Sequence, residues 1–242
     1  MKNEVICPEL QPQQMDQFNQ NNYSNLLLAE GDSWFAWGYL NAKPAPNVLT
    51  SMDFVNSTAT ISYAYSGDTV GDMARMTAGA GNPADPDSYV KWGAVDELVA
   101  YVSKNYAEII SWRSHPLSMN KTTPYAFHTY DWPMPRPAKA EVMGMPAVGT
   151  WLYQPLVDVG APADLRYEII KRVADRVLKA ITDFHDPAAG IHVVDTRGST
   201  TPALPGTKGD SNDWADEVHP NESGYAKVAG LICAQLATLG VN

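Results

Sequence analysis

Asn25-Leu26-Leu27-Leu28-Ala29 is a short apolar run that stops abruptly at Glu30-Gly31-Asp32-Ser33. A parallel strand buried on both faces reads this way, and the polar, glycine-containing stop reads as a tight turn. Three further stretches repeat the pattern. Ala59-Thr60-Ile61-Ser62-Tyr63-Ala64-Tyr65 ends at Ser66-Gly67-Asp68, and Pro124-Tyr125-Ala126-Phe127 runs into His128-Thr129-Tyr130-Asp131. Ile191-His192-Val193-Val194 runs into Asp195-Thr196-Arg197-Gly198. Segments of helical period separate them. Val95, Leu98, Val99, Val102, Tyr106, Ile109 and Ile110 share one face, as do Leu165, Ile169, Val173, Val177, Ile181 and Phe184, with Asp164 placed to cap the second helix. A last helix carries Tyr225, Val228, Ile232 and Leu236 and ends at Gly240. Strands joined by helix-length crossovers predict an α/β protein whose parallel sheet is covered on both faces. Residues 1–24 read as a polar N-terminal leader and residues 25–242 as one domain, with the Pro-rich stretch 132–146 a loop on its rim.

Composition narrows the function. The 242 residues suit one large domain or at most two small ones, and 45% hydrophobic with 18% charged residues is enough for a sizeable core. A formal net charge of −10 argues against nucleic acid and against an anionic membrane surface, since both need clustered Lys and Arg. A small, neutral substrate fits better. No run of about eighteen apolar residues predicts a transmembrane helix, and the Gln- and Asn-rich start lacks the apolar stretch of a signal peptide, so a cytoplasmic location is the default. Cys7 lies in the polar leader and Cys233 among Leu231, Ile232 and Leu236; a disulfide between them is left open.

In parallel α/β sheets ligands sit at the carboxyl ends of the strands, which directs attention to the four turns. Ser33 follows the first strand, and Trp34, Phe35 and Trp37 suggest a short helix behind it. A serine at a helix N-terminus exposes its hydroxyl beside backbone N–H groups that can stabilise an oxyanion. The plain alternative is an N-cap. The partner signal is Trp214-Ala215-Asp216-Glu217-Val218-His219-Pro220. An aspartate three residues before a histidine can hold the imidazole Nδ1, leaving Nε2 to take the Ser33 proton. Pro220 favours an extended His219 backbone.

Gly31-Asp32-Ser33-Trp34-Phe35, Ser66-Gly67-Asp68-Thr69 and Trp214-Ala215-Asp216-Glu217-Val218-His219-Pro220 together resemble the SGNH/GDSL hydrolases, in particular a bacterial lipase/esterase branch. His128-Thr129-Tyr130-Asp131-Trp132-Pro133 is similar to a further block of that branch. The resemblance runs from about residue 26 to 239. It implies a flavodoxin-like three-layer α/β/α sandwich and ester hydrolysis through an acyl-enzyme on Ser33. It also implies an oxyanion hole that uses the backbone N–H groups of Ser33 and Gly67. One block departs from the pattern. The family carries Gly-x-Asn-Asp after a central apolar strand, whereas here Gly79-Ala80-Gly81-Asn82 is followed by Pro83 and no apolar strand precedes it. Either Asn82 reaches the oxyanion hole from an irregular loop, or one central strand is lacking and Asn82 belongs to a turn.

Asp32, Trp34, His128 and Asp131 are the remaining pocket candidates. Asp68 and Asp72 read as helix caps, His115 and His192 carry no acid–base signature, and His185 reads as a partner for the end of its helix. No metal-ligand spacing and no phosphate-binding glycine loop appears, so neither metal nor cofactor is expected. The expected partner is a small-molecule ester, with a second copy of the chain left open. A family member that binds an ester or carbohydrate with little turnover is the alternative, and Asn82 separates the two readings.

Overall fold

The computed structural model describes residues 1–8, 12–29, 34, 46–62, 76–79, 81–142 and 145–242. In chain order these form β1 (Glu4–Ile6), α1 (Pro12–Gln17), β2 (Asn25–Ala29), α2 (Val48–Ser51), β3 (Thr58–Ser62) and α3 (Trp92–Ser114). Then follow β4 (Tyr125–His128), β5 (Ala140–Val142), β6 (Met145–Val148), α4 (Tyr153–Asp158), α5 (Arg166–Thr182), β7 (Ile191–Val194) and α6 (Glu222–Thr238). The chain is an α/β protein with parallel sheets. It divides into two units. One gathers Met1–Gly71, Arg136–Trp151 and Ser199–Asn242, the other Asp72–Pro135 and Leu152–Gly198.

In the first unit β3 lies between β1 and β2, parallel to both, with Ile61 opposite Ile6 on one side and Leu28 on the other. Thr58, Ala59, Thr60 and Ser62 are buried, as a central parallel strand requires. Thr60 donates its hydroxyl to Asn3 Oδ1 at 2.9 Å, and Asn3 Nδ2 donates to the Leu49 carbonyl at 3.1 Å. These bonds fasten β1 to β3 and to α2. The polar leader thus contributes a strand, which three residues of mixed polarity do not announce. Ile6 and Cys7 are buried, and Cys7 is not joined to Cys233. Among the described residues β2 pairs on one side only, with β3, and it exposes Leu26 and Leu28, whereas its sequence suggests a strand buried on both faces.

The Pro-rich stretch is not wholly loop: β5 and β6 pair antiparallel within it. α6 starts at Asn221, whose side chain accepts from Gly224 N at 3.2 Å, and packs against α2. A Cβ on Gly224 would collide with the Asp213 carbonyl, so the first turn of α6 can lie against the preceding loop only with glycine there.

In the second unit β4 and β7 pair parallel, Tyr125 opposite Ile191 and His128 opposite Val194. α3 packs along α5, whose buried Ile169, Ile170, Val173, Leu178 and Ile181 form its inner face. Tyr106 of α3 lies edge-on to Phe127 of β4 at 4.7 Å and stacks near Phe184 at 5.9 Å, so one aromatic cluster joins helix to strand. The buried Arg113 donates to the carbonyls of Thr123 and Ala189, fixing the entries to both strands. α5 begins after Leu165 without a side-chain cap, so Asp164 does not have the capping role its position suggests.

Candidate active site

The segment between Ser199 and α6 has little regular structure, and side chains organise it instead. Asp213, 4% exposed, accepts from Thr201 N, the Ser223 hydroxyl and the Lys227 ammonium. Burial pushes the Asp213 carboxyl up, but Lys227, the Thr201 N–H and the Ser223 hydroxyl outweigh it and hold the pKa down to about 2. A reciprocal bridge between Ser211 and Trp214 and the bond from Ala215 N to the His219 carbonyl at 2.9 Å fold residues 211–219 into consecutive tight turns.

Within the second turn, Asp216 Oδ1 accepts from Val218 N at 2.8 Å and His219 N at 2.9 Å. Its Oδ2 lies 2.8 Å from His219 Nδ1. The i,i+3 spacing produces this directly, because the turn brings the aspartate back over the two N–H groups that follow it. A carboxylate that only accepts places the imidazole proton on Nδ1 and leaves the basic lone pair on Nε2. Asp216 and His219 are 4% and 3% exposed, which limits competition by water for their bond. Trp151 stands edge-on to the imidazole at 6.1 Å.

Two neighbours hold this turn. Trp34 is buried, donates its indole N–H to the Val218 carbonyl at 3.0 Å, and meets Trp214 and Tyr225 edge-on. Arg136, fully buried, donates to Thr207 Oγ1 at 3.1 Å, to the Gly209 carbonyl, to the Trp214 carbonyl at 3.2 Å and to the Asp216 carbonyl at 2.6 Å. Sequence reasoning missed Arg136. Its acceptors are mostly main-chain carbonyls, which any residue supplies, and the only hint is a lone cation between Pro135 and Pro137.

Ser33, Asp32 and Gly67, along with Asp68 and Asp72, lie outside the described residues. Trp34, their one described neighbour in sequence, reaches the Asp216–His219 turn. Asn82 is exposed and spends its side-chain oxygen on Ala84 N at 3.0 Å, while its carbonyl accepts from Asp85 N at 2.9 Å; this is turn geometry. His128 Nδ1 donates to the Thr129 carbonyl at 2.6 Å, and the ring lies 5.4 Å from Tyr130. Asp131, 3% exposed, accepts from Trp132 N and Gly198 N, both at 2.7 Å, and so ties together the turns that follow β4 and β7. Gly198 has φ +73°, a conformation glycine adopts at no steric cost. His185 meets the end of α5 through its backbone N–H, which donates to the Thr182 carbonyl at 3.1 Å, while its ring accepts from Val193 N on β7 at 2.9 Å; His115 accepts from Leu117 N.

Among the described residues no three His, Cys, Asp or Glu side chains cluster as metal ligands, and no helix is long and apolar enough to cross a membrane. Comparison with protein-family models, with curated proteins and with solved structures returns no significant match to this chain.

Proposed function

We propose that the chain is a serine esterase of the SGNH/GDSL type, hydrolysing small carboxylic esters (lipid, acyl or acetyl-sugar) through an acyl-enzyme on Ser33. The observation that carries this reading is the buried bond between Asp216 Oδ2 and His219 Nδ1. It gives the imidazole the tautomer a general base needs. The bond from Trp34 to the Val218 carbonyl adds support, because the residue after Ser33 is then fastened to the residue before His219.

On this reading His219 Nε2 takes the proton as Ser33 Oγ forms a bond to the ester carbonyl carbon. The backbone N–H groups of Ser33 and Gly67 receive the oxyanion. The tetrahedral intermediate then expels the alcohol, which leaves with the His219 proton. A water, deprotonated by His219, adds to the acyl carbon in turn, and Ser33 recovers its proton as the carboxylic acid departs.

A second reading has the same pocket bind an ester or carbohydrate with little turnover. The turn bond of the Asn82 side chain favours it, since a side chain anchored by its oxygen in an exposed turn makes a poor oxyanion donor. Hydrolysis of p-nitrophenyl acetate and butyrate by wild type, Ser33→Ala and His219→Ala decides between them. The esterase reading expects turnover in the wild type that both variants lose. Equal rates in wild type and Ser33→Ala would remove it in favour of binding.

A further inference from the structure

We propose that Arg136 is the positioning residue of the Asp216–His219 pair; this rests on the esterase reading above. The side chain is fully buried, yet its fork is not aimed at a carboxylate. It gathers acceptors from Thr207, Gly209, Trp214 and Asp216, which span the segment leading into the catalytic turn. Asp216 is thereby held at both ends. Its carbonyl binds the guanidinium, while its carboxylate binds Val218 N, His219 N and His219 Nδ1. Rotation of the Asp216 peptide, the simplest motion that would swing the carboxylate away from His219, breaks the 2.6 Å bond to Arg136.

The anchor is itself stiff. Pro135 and Pro137 restrict the backbone on either side of Arg136, and Ala138 N donates back to the Arg136 carbonyl at 2.7 Å. The Ala138 carbonyl then accepts from Glu217 N at 3.2 Å, so two residues of one segment, Arg136 and Ala138, grip two consecutive residues of the turn. Charge works in the same sense. Burial draws the Arg136 guanidinium below its ordinary value, and the acidic Asp216, Glu217 and Asp210 oppose that, favouring the charged form of Arg136. Lysine retains the charge but cannot serve four acceptors spread across a planar fork.

The experiment compares Arg136→Lys and Arg136→Met with wild type in the full chain. It measures kcat and KM for p-nitrophenyl acetate, and the low-field proton resonance of His219 Nδ1–H, assigned by its loss in His219→Gln. Arg136→Met is expected to lower kcat by about a hundredfold, the cost of a misplacement of about 1 Å, with KM nearly unchanged and the resonance lost. Arg136→Lys is expected to recover about tenfold of that loss, with the resonance present but broadened. Wild-type kcat and resonance in both variants would overturn the proposal, as would a loss of kcat that leaves the resonance intact. If Arg136→Met fails to fold, Arg136→Lys alone decides: an intermediate kcat with an altered resonance supports positioning, and wild-type values overturn it. If hydrolysis proves independent of Ser33, the esterase reading fails, and the resonance in the folded variants still decides whether Arg136 holds the pair.

Discussion

The indole N–H of Trp34 donates to the carbonyl of Val218 at 3.0 Å, 184 residues further along the chain. Both partners are buried, and the bond joins the residue after Ser33 to the residue before His219. Trp34→Phe keeps most of the apolar volume and leaves the Val218 carbonyl without its donor. The expected cost is about 1–3 kcal/mol, seen as a lower urea midpoint at unchanged m-value. A midpoint equal to that of wild type would mean that the bond contributes nothing to the site's framework.

Asp216→Asn preserves shape while exchanging an acceptor for an NH₂ group at one of two positions. To keep both turn bonds the amide oxygen must stay on Val218 N and His219 N, which turns the NH₂ toward His219 Nδ1 and favours the wrong tautomer. On the esterase reading, kcat falls on the order of 10⁴-fold while the fold survives. A loss of only a few-fold in p-nitrophenyl acetate turnover would show that Asp216 does no more than shape the turn.

Asn82→Ala separates a turn residue from an oxyanion donor. The exposed turn predicts a stability change of about 1 kcal/mol at most and an unchanged kcat. An oxyanion donor predicts a drop of about two to three decades in kcat with little change in stability. Steady-state ester kinetics paired with thermal unfolding distinguish the two in one comparison.

Asp213 gives the loop a dependence on pH. Its folded pKa, about 2, lies below the ordinary carboxylate range, so the unfolded chain takes up the proton first as pH falls. Its contribution is therefore complete above about pH 4 and is lost as pH falls through the folded value. Asp213→Asn should cost up to about 2 kcal/mol at neutral pH, with the gap from wild type closing as acid is added. Urea titrations of both proteins at several pH values test it, and a gap that does not change with pH would assign the effect to lost geometry instead.

What the sequence made legible was whatever depends on short-range pattern. β2, β3, β4 and β7 are runs of apolar or β-branched residues followed in sequence by polar or glycine-containing stretches, and α3, α5 and α6 carry helical periods. The Asp216–His219 pair was legible because three residues of spacing suffice to close the turn. β1 was not, since Glu4-Val5-Ile6 becomes a strand only by pairing with β3, more than fifty residues away. Nor were β5 and β6, because Pro133, Pro135 and Pro137 just before them and Pro146 within β6 argue for loop. Arg136 escaped for a different reason: carbonyl oxygens leave no trace in residue identity. The exposure of Leu26 and Leu28 likewise follows from strand order, which no local pattern encodes.

The unit that carries the site is assembled from three separate lengths of chain, the last of which starts at Ser199. During synthesis from the amino end, β1, β2 and β3 leave the ribosome before Asp213, Asp216, His219 and α6. The Asp216–His219 turn therefore forms only after the sheet of its own unit has been made. A nascent chain stalled before residue 199 holds β1, β2, β3 and Arg136 but none of the turn that Arg136 grips, so the guanidinium finds its acceptors only once residues 207–216 have been made.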